Sequence, residues 1–78
     1  MSKYDPLAPL LAGQNVRRVV LAFGELETVL GFTLPDSART YPQWWENHPG
    51  HSQAKAWLDS GFHTEDVNLA NETVAFVG

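Results

Sequence analysis

The chain has no cysteine and a single methionine among its 78 residues. No disulfide and no thiolate-bound metal can therefore hold it together. That is a real constraint, because a domain of this size buries only about 60% of the surface its unfolded chain exposes. Basic side chains are also few. Five Lys and Arg stand against nine Asp and Glu, a formal net charge of −4 with histidine neutral. This argues against a protein that coats nucleic acid by bulk charge, while leaving a local basic face open. Long hydrophobic runs are missing too. The longest, Val19 to Phe23, is five residues, far short of the roughly 20 that cross a bilayer. The Met1-Ser2-Lys3-Tyr4-Asp5 start carries neither an apolar h-region nor a small-residue cleavage site, so we expect a cytoplasmic protein that engages no membrane. Internal repeats and low-complexity tracts are absent.

Aromatic mass is what the chain does have: three Trp, four Phe and two Tyr. With 44% hydrophobic and 18% charged residues, this describes one small domain, residues 1–78, whose core has to be built from rings. Asp5-Pro6 reads as a helix start, with Leu7, Leu10 and Leu11 at helical spacing and Gly13 as the end. Val16 to Ala22 is rich in β-branched residues and alternates, placing Val19 and Leu21 on one face and Arg18, Val20 and Ala22 on the other. From Phe23 the period becomes helical through Leu26, Val29 and Leu30, with Gly31 as a left-handed stop.

Leu34-Pro35 cannot continue that helix, and Asp36 or Ser37 can cap one turn through Thr40. Tyr41-Pro42 breaks the chain again, and Asn47-His48-Pro49-Gly50 is a turn. A third helix then starts at His51 or Ser52 and stops at Gly61. Ala54, Trp57 and Leu58 form its expected buried stripe, with Ser52, Gln53, Lys55 and Asp59 outward. Val67 and Leu69, then Val74 and Phe76, alternate on either side of Ala70-Asn71-Glu72, which predicts a hairpin. The expected fold is α+β, three short helices on a three-stranded antiparallel sheet. Its order, α-β-α-α-β-β, is winged-helix-like.

Three stretches carry a resemblance: Leu34-Pro35-Asp36-Ser37-Ala38-Arg39, Trp44-Trp45-Glu46-Asn47, and His51-Ser52-Gln53-Ala54 running on to Trp57 and Gly61. Together with the C-terminal hairpin ending in Val74-Ala75-Phe76, they resemble a family of small bacterial and phage domains of unknown function. The likeness extends from Tyr4 to Phe76. It departs at Ala22, where the family pattern implies a threonine N-cap. The resemblance implies no activity.

Function must therefore be argued from side chains. Between Arg39 and Lys55, Glu46 is the only acid, so the segment carries a formal charge of +1 (2 − 1) within an acidic chain. A polar helix after a tight turn suits phosphate positioning and base-edge reading. On that reading Arg39 meets phosphate, Gln53 reads adenine, Lys55 serves guanine or phosphate, and Asn47, His51 and Ser52 complete the surface. The competing reading is an ordinary solvated helix face, since two firm positive charges are few for a DNA binder. Tandem Trp44-Trp45 offers an aromatic platform for a partner, against a demand for both rings in the core. Neighbouring residues cannot point the same way, so we expect one ring inside and one at a boundary.

Arg17 and Arg18 read as charges that guard a strand edge, with Glu65-Asp66 as their counter-ions. His48, His51 and His63 are too few to close a metal site without cysteine. Ser52 beside His51 is no dyad, because adjacent helical residues do not face each other. We accordingly expect no metal, cofactor or catalytic residue, and no enzyme. The leading expectation is a small DNA-binding or regulatory module docking through its third helix. The alternative is a protein-interaction module or inhibitor with a Trp44–Trp45 surface, which a second copy could also occupy as a homodimer.

Overall fold

A computed structural model describes residues 2–78 of the chain. Helix α1, Leu7–Ala12, follows Pro6 and buries Leu7 and Leu11. Strand β1, Arg18–Ala22, turns directly into α2, Phe23–Leu30. No threonine caps α2. Glu25 Oε1 instead accepts the Ala22 N–H at 2.9 Å, which is half of a capping box; the Ala22 methyl offers no oxygen in return. Gly31 ends α2 at φ +82°, the left-handed stop that favours glycine.

Two short elements follow: α3, Asp36–Thr40, and a 3₁₀ helix, Pro42–Trp45. Tyr41-Pro42 thus resets the backbone into a tighter turn instead of merely breaking it. Helix α4, Ser52–Leu58, is the third helix of the sequence reading. The chain closes with β2, His63–Asn68, and β3, Thr73–Val77. The three strands form one antiparallel sheet in the order β1-β3-β2, so the fold is α+β as expected, with α3 and the 3₁₀ helix inserted before α4.

Two details differ from the alternation read in the sequence. Strand β2 starts earlier, at His63, and its register slips between Glu65 and Asn68. Asp66, at φ 49°, sits in that irregularity. A bulge of this kind resets which face each residue meets, which is how Thr64 comes to be buried while Glu65 and Asp66 are both exposed. Helix α4 is rotated from its expected stripe. It buries Gln53, Ala54, Ala56 and Trp57, leaving Leu58 half-buried.

The core is aromatic. Phe23 stacks on Trp45 with centroids 4.7 Å apart, Trp45 stacks on Trp57 at 6.1 Å, and Trp57 meets Phe76 edge-on at 5.6 Å. This column joins α2, the 3₁₀ helix, α4 and β3. Leu11, Leu26 and Val74 fill in around it. No helix among the described residues is long and apolar enough to cross a membrane.

Candidate interaction site

The 3₁₀ helix settles the tandem tryptophans. At three residues per turn, consecutive side chains diverge by about 120°, so Trp45 enters the core at 2% exposure while Trp44 stays half-buried at the rim. Trp45 also donates its indole N–H to the Ala38 carbonyl at 2.8 Å. It is therefore a core residue and cannot form part of an interaction surface, a correction to the sequence reading.

The residues assigned to nucleic-acid contact scatter in role. Arg39 forms a bidentate pair with Glu27, at 2.9 and 3.1 Å, and its Nε donates to Glu72 at 2.8 Å. The guanidinium also lies over the Phe23 ring. One arginine thus ties α2, α3 and the hairpin tip. Its pairing with Glu27 first, and Glu72 second, raises its already high pKa further. The same bonds, with the Leu34 N–H next in weight, hold the Glu27 carboxyl below the usual carboxylate range. Arg39 is already matched by two carboxylates, which leaves it poorly placed for phosphate.

Asn47 is a clamp. Its Oδ1 accepts from Trp57 Nε1 at 3.0 Å and from the Thr64 N–H at 2.8 Å, while its Nδ2 donates to the Thr64 carbonyl at 3.1 Å; the Thr64 hydroxyl gives its one proton to the Trp45 carbonyl at 2.5 Å. Gln53 turns inward, 8% exposed, and donates to the Trp44 carbonyl at 3.1 Å. Its expected outward position is corrected: the part-buried Trp44 carbonyl, within the 3₁₀ helix, needs a donor, and the Gln53 amide supplies one. Periodicity carried a signal for this, because Gln53 lies four residues before Trp57 and so shares its face.

His51, Ser52 and Lys55 do remain exposed. Lys55 pairs with Asp59 at 3.0 Å. It lines a cleft of about 270 Å³ with Ser2, Asp5, Ser52, Ala56 and Asp59, whose formal charge is −1 (one Lys against two Asp). Arg18 pairs with Asp66 at 2.6 Å across the sheet. Among the described residues, Lys3 and Arg17 are the basic side chains without a carboxylate partner, and Lys3 lies over the Tyr4 and Phe32 rings. The positive charge of the segment is therefore spent locally instead of forming a continuous face.

A different surface emerges beside it. Ser37, Tyr41, Gln43, Trp44, His51 and Gln53 enclose a shallow depression of about 400 Å³ with almost wholly apolar walls. Tyr41, at the junction of α3 and the 3₁₀ helix, is 58% exposed, the largest exposure among the big hydrophobic side chains. Trp44 is held from behind, edge-on to Tyr4 at 5.8 Å and to Trp45 at 4.6 Å. Its indole N–H has no acceptor among the described residues and is not buried, unlike those of Trp45 and Trp57, which are both bonded. The sequence alone singles out Trp44 here, places Tyr41 and Gln43 within the Arg39–Lys55 stretch without a role of their own, and offers Ser37 only as a helix cap.

His48 and His51 approach with ring centroids 5.3 Å apart, and His48 Nδ1 accepts the Gly50 N–H at 3.0 Å. No three His, Asp or Glu side chains converge as metal ligands among the described residues.

Fold and surface together define a small α+β domain with an aromatic core and one apolar, aromatic-rimmed depression. The chain belongs to a family described as a domain of unknown function (DUF7662), whose model matches residues 4–77. No curated protein and no solved structure matches it.

Proposed function

We propose that this domain is a protein-interaction module, and not an enzyme, that engages a partner protein through the Tyr41–Trp44 depression. The observation that carries this reading is the pairing of an exposed tyrosine with a rigidly backed tryptophan around apolar walls. Large aromatic side chains lose little entropy when covered, and they dominate binding where water is excluded. The rigid backing also means that Trp44 is already positioned before a partner arrives. Ser37, Gln43 and His51 supply a polar rim of the kind that surrounds such anchors.

What favours this over docking on DNA through α4 is the state of the charges. Arg39 and Lys55 are matched by carboxylates, and Gln53 and Asn47 are spent on internal hydrogen bonds. A winged-helix kinship and a bacterial or phage cytoplasm are compatible settings, but neither carries the argument.

The test uses a displayed random-peptide library panned against the purified protein. Selected peptides should lose at least about tenfold in affinity, or 1.4 kcal/mol, on Tyr41→Ser, and should bind Lys55→Ala as well as wild type. Duplex and single-stranded DNA at low salt should show no Lys55-dependent binding. A library that yields no peptide sensitive to Tyr41, or DNA binding that weakens with salt and on Lys55→Ala, would overturn the proposal.

A further inference from the structure

The two edges of the sheet are treated differently. On β2, the outward backbone groups at Thr64 are capped by the Asn47 side chain, which accepts its N–H and donates to its carbonyl, much as a paired strand would. Beyond Thr64 the bulge and Asp66 twist the edge away from regular pairing. Among the described residues, no side chain caps the backbone of Arg18 or Val20 on β1 in this way.

The pairing parity on β1 identifies its open groups. Gly78 N–H donates to the Arg17 carbonyl and Phe23 N–H to the Glu72 carbonyl. With the register Val19↔Phe76 and Leu21↔Val74, the odd-numbered residues bond inward to β3. The N–H and C=O groups of Arg18 and Val20 therefore point away from the sheet. Ala22 closes this stretch, since Glu25 takes its N–H. Val16 and Val20, 55% and 52% exposed, flank the open edge.

We propose that β1 pairs antiparallel with β1 of a second copy, about a two-fold axis at Val19, joining two sheets edge to edge. The open groups select this register. Setting Arg18 against Arg18 would oppose like charges, and setting Val20 against Val20 would bring Arg18 to an Ala22 whose amide is already used. Arg18 against Val20 lets each residue donate to and accept from its counterpart, with the Val20 side chain laid on the Arg18 stem. Charge agrees with this choice. Antiparallel pairing brings the start of one strand, where Arg17 has no carboxylate partner, towards the end of the other, where Glu25 lies in the first turn of α2 and joins no ion pair. The Tyr41–Trp44 depression is built by other elements, so the dimer neither requires nor excludes the proposed function.

Sedimentation equilibrium across a concentration series tests the pairing, together with amide hydrogen exchange. Wild type should convert from monomer to dimer as concentration rises, with the Arg18 and Val20 amides becoming protected in step. Val20→Pro removes an outward N–H that the monomer does not use, a position where an edge strand tolerates proline. It should remain folded by circular dichroism and lose the dimer, as should Val20→Lys, which keeps the backbone intact. Tyr41→Ser should dimerise like wild type. A monomer up to millimolar concentration would overturn the proposal, as would a dimer that survives Val20→Lys or leaves the Val20 amide exchanging freely.

Discussion

Replacing Asn47 by alanine distinguishes a structural clamp from a surface contact. The side chain makes three hydrogen bonds, to Trp57 Nε1 and to the Thr64 N–H and carbonyl. Each is worth about 0.5–1.5 kcal/mol net, so losing all three without replacement would cost about 1.5–4.5 kcal/mol. Asn47 is itself exposed, so water enters the space left and bonds some of the freed groups. The lower end applies, about 1.5 kcal/mol. Against a total stability of roughly 4–12 kcal/mol for a domain this size, that is a large fraction. It corresponds to a melting temperature lower by about 6–12 °C. Urea titration followed by tryptophan fluorescence is the assay, because the Trp57 indole loses its acceptor in the variant. Asn47→Asp keeps an acceptor for the same donors but sets a carboxylate oxygen against the Thr64 carbonyl, so its stability should fall between alanine and wild type. A loss below about 0.5 kcal/mol for alanine, the level of an ordinary surface change, would refute the clamp.

The Glu27–Arg39 pair gives a pH signature. Because the Glu27 carboxyl is held low, mainly by Arg39 and next by the Leu34 N–H, its stabilisation is present above the unfolded carboxylate range and is lost as pH falls through its lower folded value. The stability gap between wild type and Glu27→Gln should narrow on acidification; a gap that stays constant in denaturation series would contradict this. Gly31, at φ +82° with open space around it, should cost about 1 kcal/mol on Gly31→Ala through backbone strain alone. Gly24, exposed in the first turn of α2 with nothing near its Cβ position, should gain about 0.5 kcal/mol on Gly24→Ala; thermal melts separate the two signs.

The elements of the fold were legible because each has a local cause. Pro6 starts α1, Gly31 stops α2, and alternation marks β1 and β3. The aromatic core followed from the scarcity of any other staple. Less legible was everything set by contacts distant in sequence. Arg39 reads as a free cation in a segment poor in acid, yet its carboxylates arrive from 12 and 33 residues away. Asn47 reads as a turn residue, and its partner Thr64 lies 17 residues on, beyond α4. Gln53 was hidden by its own polarity, because an amide on a helix suggests solvent until the carbonyl it must serve is known. The Tyr41–Trp44 depression escaped for a related reason. It forms only because a 3₁₀ turn sends adjacent tryptophans in different directions, and Tyr41-Pro42 alone does not specify that turn.

These misplacements share a sign: residues that look like ligands for a distant partner are occupied within the domain, while residues that look like core or punctuation reach the surface. The three indole N–H resonances test this directly. In an ¹⁵N-labelled sample, Trp45 and Trp57 are bonded internally and Trp44 is free. Titrating in a library-selected peptide should move the Trp44 indole and the Gln43 side-chain amide while Ser52 and Lys55 stay in place. Shifts centred on Ser52 and Lys55 on adding duplex DNA, with the Trp44 indole unmoved by any peptide, would contradict the account.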